Sequence, residues 1–221
     1  IRKEVNAGAR WVVDADFADF FGSLDPDLLL RFVARRVSDR RVLRLIRMWL
    51  RAGVMEDGVS VGSMTGVPQG GSISPLLSNI YGHVLDALWA KEASHLGTLV
   101  RYADDLVLLC RTESDARQAY AWLQARAQTL HLRVHPEKTR VVFLGDGGDG
   151  FDFLGFHHHM VRSWKYRKRY CHRWPAKRAM ASIRAKIKAI TAPRDRLKWP
   201  THALVQELNP VLRGWGNYFR W

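Results

Sequence analysis

Two adjacent aspartates, Asp104 and Asp105, interrupt an apolar stretch between residues 98 and 111. The two flanking halves have the length and composition of short buried strands, so the stretch predicts a β-hairpin with both carboxylates at its tip. Two unit charges about 4 Å apart repel by about 4 kcal/mol at an effective dielectric constant of about 20. A folded chain accepts that cost where a divalent cation binds the pair or where water screens it. Taken alone, in an arbitrary sequence, the pair favours an exposed Asp-Asp turn over a metal site.

A third carboxylate, Asp16, follows another apolar run, which begins at Trp11. An early strand can lie beside a later hairpin in a small sheet, and this would bring Asp16 to the same face as Asp104. Two or three carboxylates from adjacent strands bind two Mg²⁺ ions about 3.5–4 Å apart, as nucleotidyl transfer requires. Asp14 shares a face with Asp16 in an alternating strand, so the spacing leaves open which of the two binds metal.

The order of the predicted elements indicates an α+β domain, with helices packed on one face of a mainly antiparallel sheet. Asp25-Pro26 is a strong helix start, because aspartate suits the N-cap and proline the first turn. Ser38-Asp39 is expected to divide the helical stretch 26–52 in two. The remaining predicted elements are helices that begin at Ser74 and Ser114 and strands over residues 132–144 and 151–159.

Positive charge is concentrated in the last third of the chain. The whole sequence has 35 Lys and Arg against 21 Asp and Glu, and residues 151–221 alone hold 16 of the former and 3 of the latter. Such a segment repels itself unless a polyanion lies against it, and counterion release favours Lys and Arg at the phosphates of nucleic acid. Five of the nine tryptophans share this segment, and rings among cations suit stacking on bases. A basic face that serves only solubility is the alternative.

A change in the sequence near residue 160 predicts two domains, 1–160 and 161–221, of which the second is a basic all-helical module. Met180, Ile183 and Ile187 recur at helical spacing and predict a short amphipathic helix there. The candidate nucleic-acid contacts are Arg162, Lys165, Arg167, Lys168, Arg169, Lys177, Arg178, Arg184 and Lys188.

Several other classes of protein are excluded by composition. Hydrophobic residues make up 47% of the chain and charged residues 25%, as in ordinary globular proteins. No stretch approaches the roughly 18 uncharged apolar residues of a membrane span, so no membrane partner is expected. The two distant cysteines favour a reducing cytoplasm over a disulfide framework. Histidines 157–159 alternate between the faces of a strand and cannot all bind one zinc ion.

Five motifs, in order along the chain, resemble those of reverse transcriptases. They are residues 13–21 (VDADFADFF), 67–80 (VPQGGSISPLLSNI), 101–105 (RYADD), 135–139 (HPEKT) and 153–156 (FLGF). The second is similar to the Pro-Gln-Gly motif of the group II intron-encoded and related bacterial branch. Residues 208–219 resemble the maturase, or thumb-like, region of those proteins.

The resemblance implies a reverse-transcriptase palm followed by a thumb or maturase-like segment. It implies an RNA-directed DNA polymerase that extends a DNA primer on an RNA template, using deoxynucleoside triphosphates and two Mg²⁺ ions, or Mn²⁺. The implied metal site consists of Asp16, Asp104, Asp105 and the backbone of Phe17. The implied nucleotide contacts are Phe17, Phe21 as a steric gate under the sugar, Gln69, Gly70, and Lys138 near the phosphates.

Two alternatives stay open: a maturase that acts mainly as an intron RNA-binding splicing cofactor, and a bacterial defence or CRISPR-associated reverse transcriptase. The presence of all three aspartates, Asp16, Asp104 and Asp105, favours the polymerase, because RNA binding alone gives no reason to keep mutually repelling carboxylates. The family's fingers precede its first catalytic motif, so a chain that begins at Ile1 is expected to be a piece that lacks most of them. The resemblance also implies structured intron RNA as a partner and the bacterial cytoplasm as location.

Overall fold

The computed structural model of the 221-residue chain describes residues 1–51, 54–56, 59–61, 73–145, 148–165 and 167–220. Two compact units make up the chain, Ile1–Leu144 and Gly145–Trp221. Gln69 and Gly70, which the sequence places at the nucleotide, lie outside the described residues.

The first unit alternates helices with short strands. In chain order its elements are α1 (Arg2–Asn6), β1 (Trp11–Ala15), α2 (Phe20–Ser23), α3 (Pro26–Ala34), α4 (Arg40–Arg51), β2 (Val54–Glu56), β3 (Val59–Val61), α5 (Ser74–Glu92), a 3₁₀ turn (Ser94–Leu96), β4 (Gly97–Tyr102), β5 (Asp105–Cys110), α6 (Glu113–Thr129) and β6 (Arg140–Phe143). The predicted α+β class is confirmed.

Strand β1 is an inner strand of a four-stranded antiparallel sheet, in the order β4-β5-β1-β6. Val13 and Ala15 of β1 face the helices together with Leu106 and Leu108 of β5, and all four are buried. Burial of a leucine or valine side chain contributes about 1.5–3 kcal/mol. This packing determines which side chains of β1 and β5 face the helices. The residues between them in each strand therefore point to the opposite face of the sheet.

The helix starts predicted at Asp25-Pro26, after Ser38-Asp39 and at Ser74 are confirmed, and the one predicted at Ser114 differs. Asp25 Oδ1 accepts hydrogen bonds from the backbone N–H groups of Asp27 and Leu28, at 2.9 and 2.8 Å, and so caps α3. Helices α3 and α4 are separate, divided where Ser38-Asp39 predicts. Helix α6 is capped by Thr112 rather than Ser114, because Thr112 forms a reciprocal capping box with Asp115.

The second unit begins with a three-stranded antiparallel sheet and ends with two helices. Its elements are β7 (Phe151–Phe153), β8 (Phe156–Arg162), β9 (Arg169–Pro175), α7 (Lys177–Thr191), a 3₁₀ turn (Arg194–Lys198) and α8 (Thr201–Phe219). Residue 160, the predicted boundary, lies inside β8, and the division between the units falls earlier, after Leu144.

The expectation of an all-helical module from residue 161 onward misses strand β9. Val161 pairs with Tyr170 and Met160 with Cys171, so β9 completes the sheet that β8 begins. Arg169 and Tyr170 are exposed, Cys171 is buried and the rest of β9 is half-buried, so its burial does not alternate along the strand. The segment therefore lacks the alternating pattern by which a strand is predicted from sequence. Within the described residues, none of the helices is both long and apolar enough to cross a lipid bilayer.

Candidate active site

Three aspartates lie where β1 and the β4–β5 hairpin end. The β1–β5 pairing closes with Ala15 opposite Leu106, so the next positions in register are Asp16 and Asp105. Asp104 belongs to the two-residue turn at the hairpin tip. Because Ala15 and Leu106 point into the helix-side core, Asp16 and Asp105 share the other face of the sheet. The structure therefore brings together the three acids that the sequence selects.

The pKa of the Asp105 carboxyl is raised above its ordinary value. Partial burial of the carboxyl is the first cause, and the negative charges of Asp104 and Asp16 are the second and third. The rest of Asp105 reaches solvent at the hairpin tip, so the burial is incomplete. All three causes penalise the ionised form, and a bound cation would offset each of them.

The donor chemistry fits a hard divalent cation, because carboxylate oxygens are what Mg²⁺ prefers. Among the described residues, no three His, Cys, Asp or Glu side chains close on a common point as a ready-made metal cage. Mg²⁺ rarely requires one, since it commonly takes one or two carboxylates and completes its shell with water and substrate phosphates. The acids Asp16, Asp104 and Asp105 would hold such an ion, with the backbone of Phe17 beside them.

The two candidate acids on β1 differ in their partners. Asp14 lies opposite Arg140 in the β1–β6 register, and Arg140 Nε donates to Asp14 Oδ2 at 3.2 Å. Asp16 lies next to Asp105 and instead has Lys138 Nζ 3.1 Å from its Oδ2, in a pair that solvent reaches. Both acids thus have a basic partner, and what distinguishes Asp16 is its position beside Asp105 at the end of the β1–β5 pairing.

Lys138 reaches Asp16 because the chain before β6 runs alongside the end of β1. His135 N–H donates to the carbonyl of Asp16 at 2.8 Å, and Phe17 forms an isolated antiparallel bridge with Val134. These contacts place the predicted lysine at the acid cluster rather than elsewhere on the unit.

The phenylalanines after Asp16 divide between core and surface. Phe17 is buried in the helix-side core, with its ring 5.5 Å from that of Phe20, so its backbone is the part left to a metal or nucleotide. Asp19 caps α2 by accepting from Gly22 N–H at 3.2 Å. Phe21 is half-buried, with its ring edge-on to Phe20 at 5.6 Å. Phe21 thus keeps a partly exposed ring on the short helix that follows the acid-bearing end of β1.

Arg101, the first residue of the 101–105 motif, ties the hairpin to helix α5, a role that no sequence pattern predicted. Arg101 Nε and Nη2 donate to the two carboxylate oxygens of Asp86 at 2.8 and 2.6 Å, and Nη1 donates to the carbonyl of Ala103 at 2.8 Å. Ala103 has a positive φ of 55°, which is costly for a residue with a Cβ atom. A Cβ atom on Gly82 of α5 would lie 2.7 Å from Arg101 Nη1, so the glycine makes room for this contact. The signal available was an arginine inside an otherwise apolar strand.

The nine basic residues predicted to contact nucleic acid are all exposed. Five lie at or between the facing ends of β8 and β9, and four lie on α7. Ile183 of α7 is buried, as the predicted apolar stripe requires, so the basic side chains of that helix point away from the covered side.

The three successive histidines occupy alternating faces of β8, as predicted. His157 and His159 lie on one face with Trp174, at ring distances of 4.9 and 6.0 Å. His158 is buried on the other face and stacks on Phe151 at 5.1 Å. Burial lowers the pKa of His158 to about 4, so this imidazole is neutral near pH 7.

An antiparallel sheet backed by helices, with carboxylates at a hairpin tip and on the neighbouring strand, defines the palm of a nucleic-acid polymerase. The chain belongs to the reverse transcriptase family: the model described as "Reverse transcriptase (RNA-dependent DNA polymerase)" matches residues 2–158. The model "Group II intron, maturase-specific domain" matches residues 180–221.

Two curated relatives are similar in sequence. Protein YkfC of Escherichia coli is 31% identical over 196 residues, which are 73% of this chain and 49% of YkfC. The group II intron-encoded protein LtrA of Lactococcus lactis is 39% identical over 79 residues, 36% of this chain and 13% of LtrA. The chain thus spans about half the length of YkfC and a smaller share of LtrA.

A solved telomerase shares the fold. The structure of Candida tropicalis telomerase in complex with the TWJ fragment of telomeric RNA matches 96% of this chain and 39% of its own, with a TM-score of 0.57 and 13% identity. Apo telomerase from the same organism gives a TM-score of 0.55 over 69% of this chain and 32% of its own, with 15% identity.

Proposed function

We propose that the protein is an RNA-directed DNA polymerase of a group II intron or related bacterial retroelement. It extends a primer 3′-hydroxyl on an RNA template by two-metal nucleotidyl transfer. The observation that carries this proposal is the meeting of Asp16, Asp104 and Asp105 at one end of the sheet, where each charge penalises ionisation of Asp105. Membership of the reverse transcriptase family supports it.

The three carboxylates bind and orient divalent cations, whose charge offsets the partial burial and the repulsion that raise the pKa of Asp105. When bound, two Mg²⁺ ions lower the pKa of the attacking hydroxyl and stabilise the leaving pyrophosphate. Lys138, 3.1 Å from Asp16, is placed to contact the triphosphate and to neutralise its charge.

The ring of Phe21 excludes a 2′-hydroxyl and so selects deoxynucleotides. Its place on α2, directly after the acid-bearing end of β1, supports this role. Gln69 and Gly70 contact the incoming nucleotide or the template in this proposal, on the strength of the motif that contains them.

The second unit holds RNA through the exposed basic residues around the β8–β9 connection and on α7. A second function, assistance of intron splicing, is favoured by the maturase-specific match over residues 180–221. Replacement of Arg162, Lys168 and Arg169 by glutamine is expected to weaken RNA binding and to flatten its salt dependence by about 2 in log–log slope. An unchanged slope would reject this surface as the contact.

The polymerase proposal is tested by primer extension on an RNA template with Mg²⁺. Asp104→Asn keeps the shape of the side chain and removes its charge, so extension should fall to background. Asp27→Asn, at an exposed acid on α3 of the same unit, is the matched control and should extend like the unaltered protein. Extension by Asp104→Asn at the control's rate would reject the assigned site.

A further inference from the structure

Positive charge is also concentrated on two helices of the first unit. Eight arginines and one aspartate lie between residues 31 and 51, whereas the other residues up to 150 hold 11 basic and 17 acidic side chains. The near-zero net charge of the first 150 residues therefore conceals one strongly positive patch on an otherwise acidic unit.

Helix α4 aligns three of these arginines in a row. Arg40, Arg44 and Arg47 are exposed, while Ile46 and Leu50 are buried on another side of the helix. At 100° and 1.5 Å per residue, the three arginines fall within about 60° of the helix circumference and about 10 Å of its length. Over about 10 Å, one strand of a duplex presents about three phosphates.

The row is electrostatically unfavourable by itself. Like charges three and four residues apart destabilise a helix by about 0.2–0.5 kcal/mol per pair. Among the described side chains, Arg40, Arg44 and Arg47 have no ion-pair partner, whereas Arg41 pairs with Asp39 at 3.3 Å. A polyanion along the row would offset the repulsion.

The arginine surface continues from α4 onto α3. Arg35 and Arg36 are exposed at the end of α3 and line a groove of about 590 Å³ between α3 and α5. The apolar floor of this groove includes Ile80 and Val84, and Lys91 adds a further cation to its rim. Helices α3 and α4 contact each other, so Arg35 and Arg36 extend the set of exposed arginines beyond the row on α4.

We propose that this arginine face, formed by Arg35, Arg36, Arg40, Arg44 and Arg47, binds the phosphate backbone of a helical RNA segment other than the template–primer duplex. Guanidinium forks suit phosphate better than ammonium groups do, and all eight cations of the segment are arginines. RNA is chosen as the polyanion because of the proposed function, and the inference rests on it to that extent.

The placement of the face is the reason for separating this RNA from the template–primer. Ile46 of α4 joins the helix-side core together with Ala15 of β1. Asp16 and Asp105 point to the opposite face of that sheet. A duplex lying on α4 is therefore on the other side of the sheet from a primer end at the acids.

Helix α4 also exposes Val42, Leu45, Met48 and Trp49, which makes a membrane surface or an acidic protein the competing occupants. Val42, Leu45 and Trp49 project about 100° or more away from each arginine of the row, whereas Met48 lies about 40° from Arg44. The exposed apolar side chains border the row and do not lie within its arc, and this favours a charged ligand along the row.

The test measures binding of a blunt-ended RNA duplex, which offers no recessed primer end, over a range of salt concentrations. The variant carries Arg40→Gln, Arg44→Gln and Arg47→Gln, changes that keep helix propensity. The control removes the same charge from exposed sites away from α3 and α4 in the same unit, with Arg2→Gln, Arg111→Gln and Arg117→Gln. The variant's log–log salt slope should become shallower by about 2–3, and the control's slope should stay near that of the unaltered protein.

Extension of a short template–primer should be unchanged in the triple variant. A salt slope equal to the control's would overturn the proposal, as would an equal loss of affinity for the short template–primer. Arginine-dependent binding to phosphatidylserine vesicles with intact duplex binding would overturn it in favour of a membrane. The test of the arginine face measures duplex binding and does not depend on polymerase activity. If the unaltered protein failed to extend primers, the proposed function would be rejected, and the binding comparison between the triple variant and its control would still decide whether the arginine face binds RNA.

Discussion

Replacing Arg101 should damage both stability and catalysis, because one guanidinium joins the acid-bearing hairpin to helix α5. The side chain of Arg101 is 9% exposed, and that of its partner Asp86 is 31% exposed. Arg101→Gln removes the two-pronged contact with Asp86 and the hydrogen bond to the carbonyl of Ala103.

The size of the effect follows from this burial. Breaking a fully buried ion pair costs about 3–5 kcal/mol, and an exposed pair contributes about 0–1 kcal/mol. With one partner buried and the other partly exposed, we expect a loss of about 2–3 kcal/mol. Without the Arg101 bond to its carbonyl, Ala103 can relax from its positive φ and shift the neighbouring aspartates, so the extension rate should fall as well.

A double-mutant cycle separates this interaction from general damage. Unfolding free energies of Arg101→Gln, Asp86→Asn and the double variant, measured by urea titration, should give a coupling energy of about 1.5–2.5 kcal/mol. Hydrogen exchange of residues 97–110 shows whether the loss is local to the hairpin. The same three proteins are compared for primer extension at saturating Mg²⁺.

The matched control is an ion pair of the same chemistry at the surface. Arg117 Nη2 lies 2.6 Å from Glu113 Oε1 on α6, with side chains 74% and 45% exposed. Its coupling energy should stay below about 0.5 kcal/mol. An equally small coupling for Arg101 and Asp86, or normal extension by Arg101→Gln, would refute the reasoning.

Three further changes probe the acid cluster. Asp105→Asn should abolish extension. It should also raise the unfolding free energy near pH 7 in the absence of divalent cations. The reason is that the pKa of Asp105 is raised in the folded protein, so the wild-type carboxyl costs stability as the pH rises from its ordinary pKa of 3.8 through the folded value. Urea titrations should show no gain below pH 3.8, and a gain there would contradict this. Phe21→Val should raise incorporation of ribonucleotides relative to deoxynucleotides by about tenfold or more in single-nucleotide extension, and an unchanged ratio counts against the gate. Lys138→Gln should shift the unfolding free energy by less than about 1 kcal/mol but raise the KM for deoxynucleotides.

The sequence was most informative where local chemistry and tertiary structure agree. The Asp104-Asp105 hairpin follows from two apolar half-strands around a polar tip, and the start of α3 follows from Asp25-Pro26. The class of fold follows from the order of such elements. Each of these depends on residues that are neighbours in the chain.

What escaped prediction depends on partners far apart in sequence or on averaging over long windows. The Arg101–Asp86 contact joins a strand to a helix and has no local signature. Strand β9 is defined by its pairing with β8, and its burial shows no alternation that a sequence pattern could reflect. The arginine row of α4 is invisible in a net charge taken over 150 residues, because acids elsewhere in the unit balance it.

The inner position of β1 has a consequence for how the protein is made. Trp11 pairs with Cys110 on one side and with Phe143 on the other. During synthesis β1 therefore leaves the ribosome long before either neighbour exists, with both of its hydrogen-bonding edges open to wrong partners. Loop closure over such distances is slow, and the acids cannot assemble until it is complete. Catalytic competence should thus be among the last properties that a newly made chain acquires, and a chaperone that shields β1 should raise the yield of active protein.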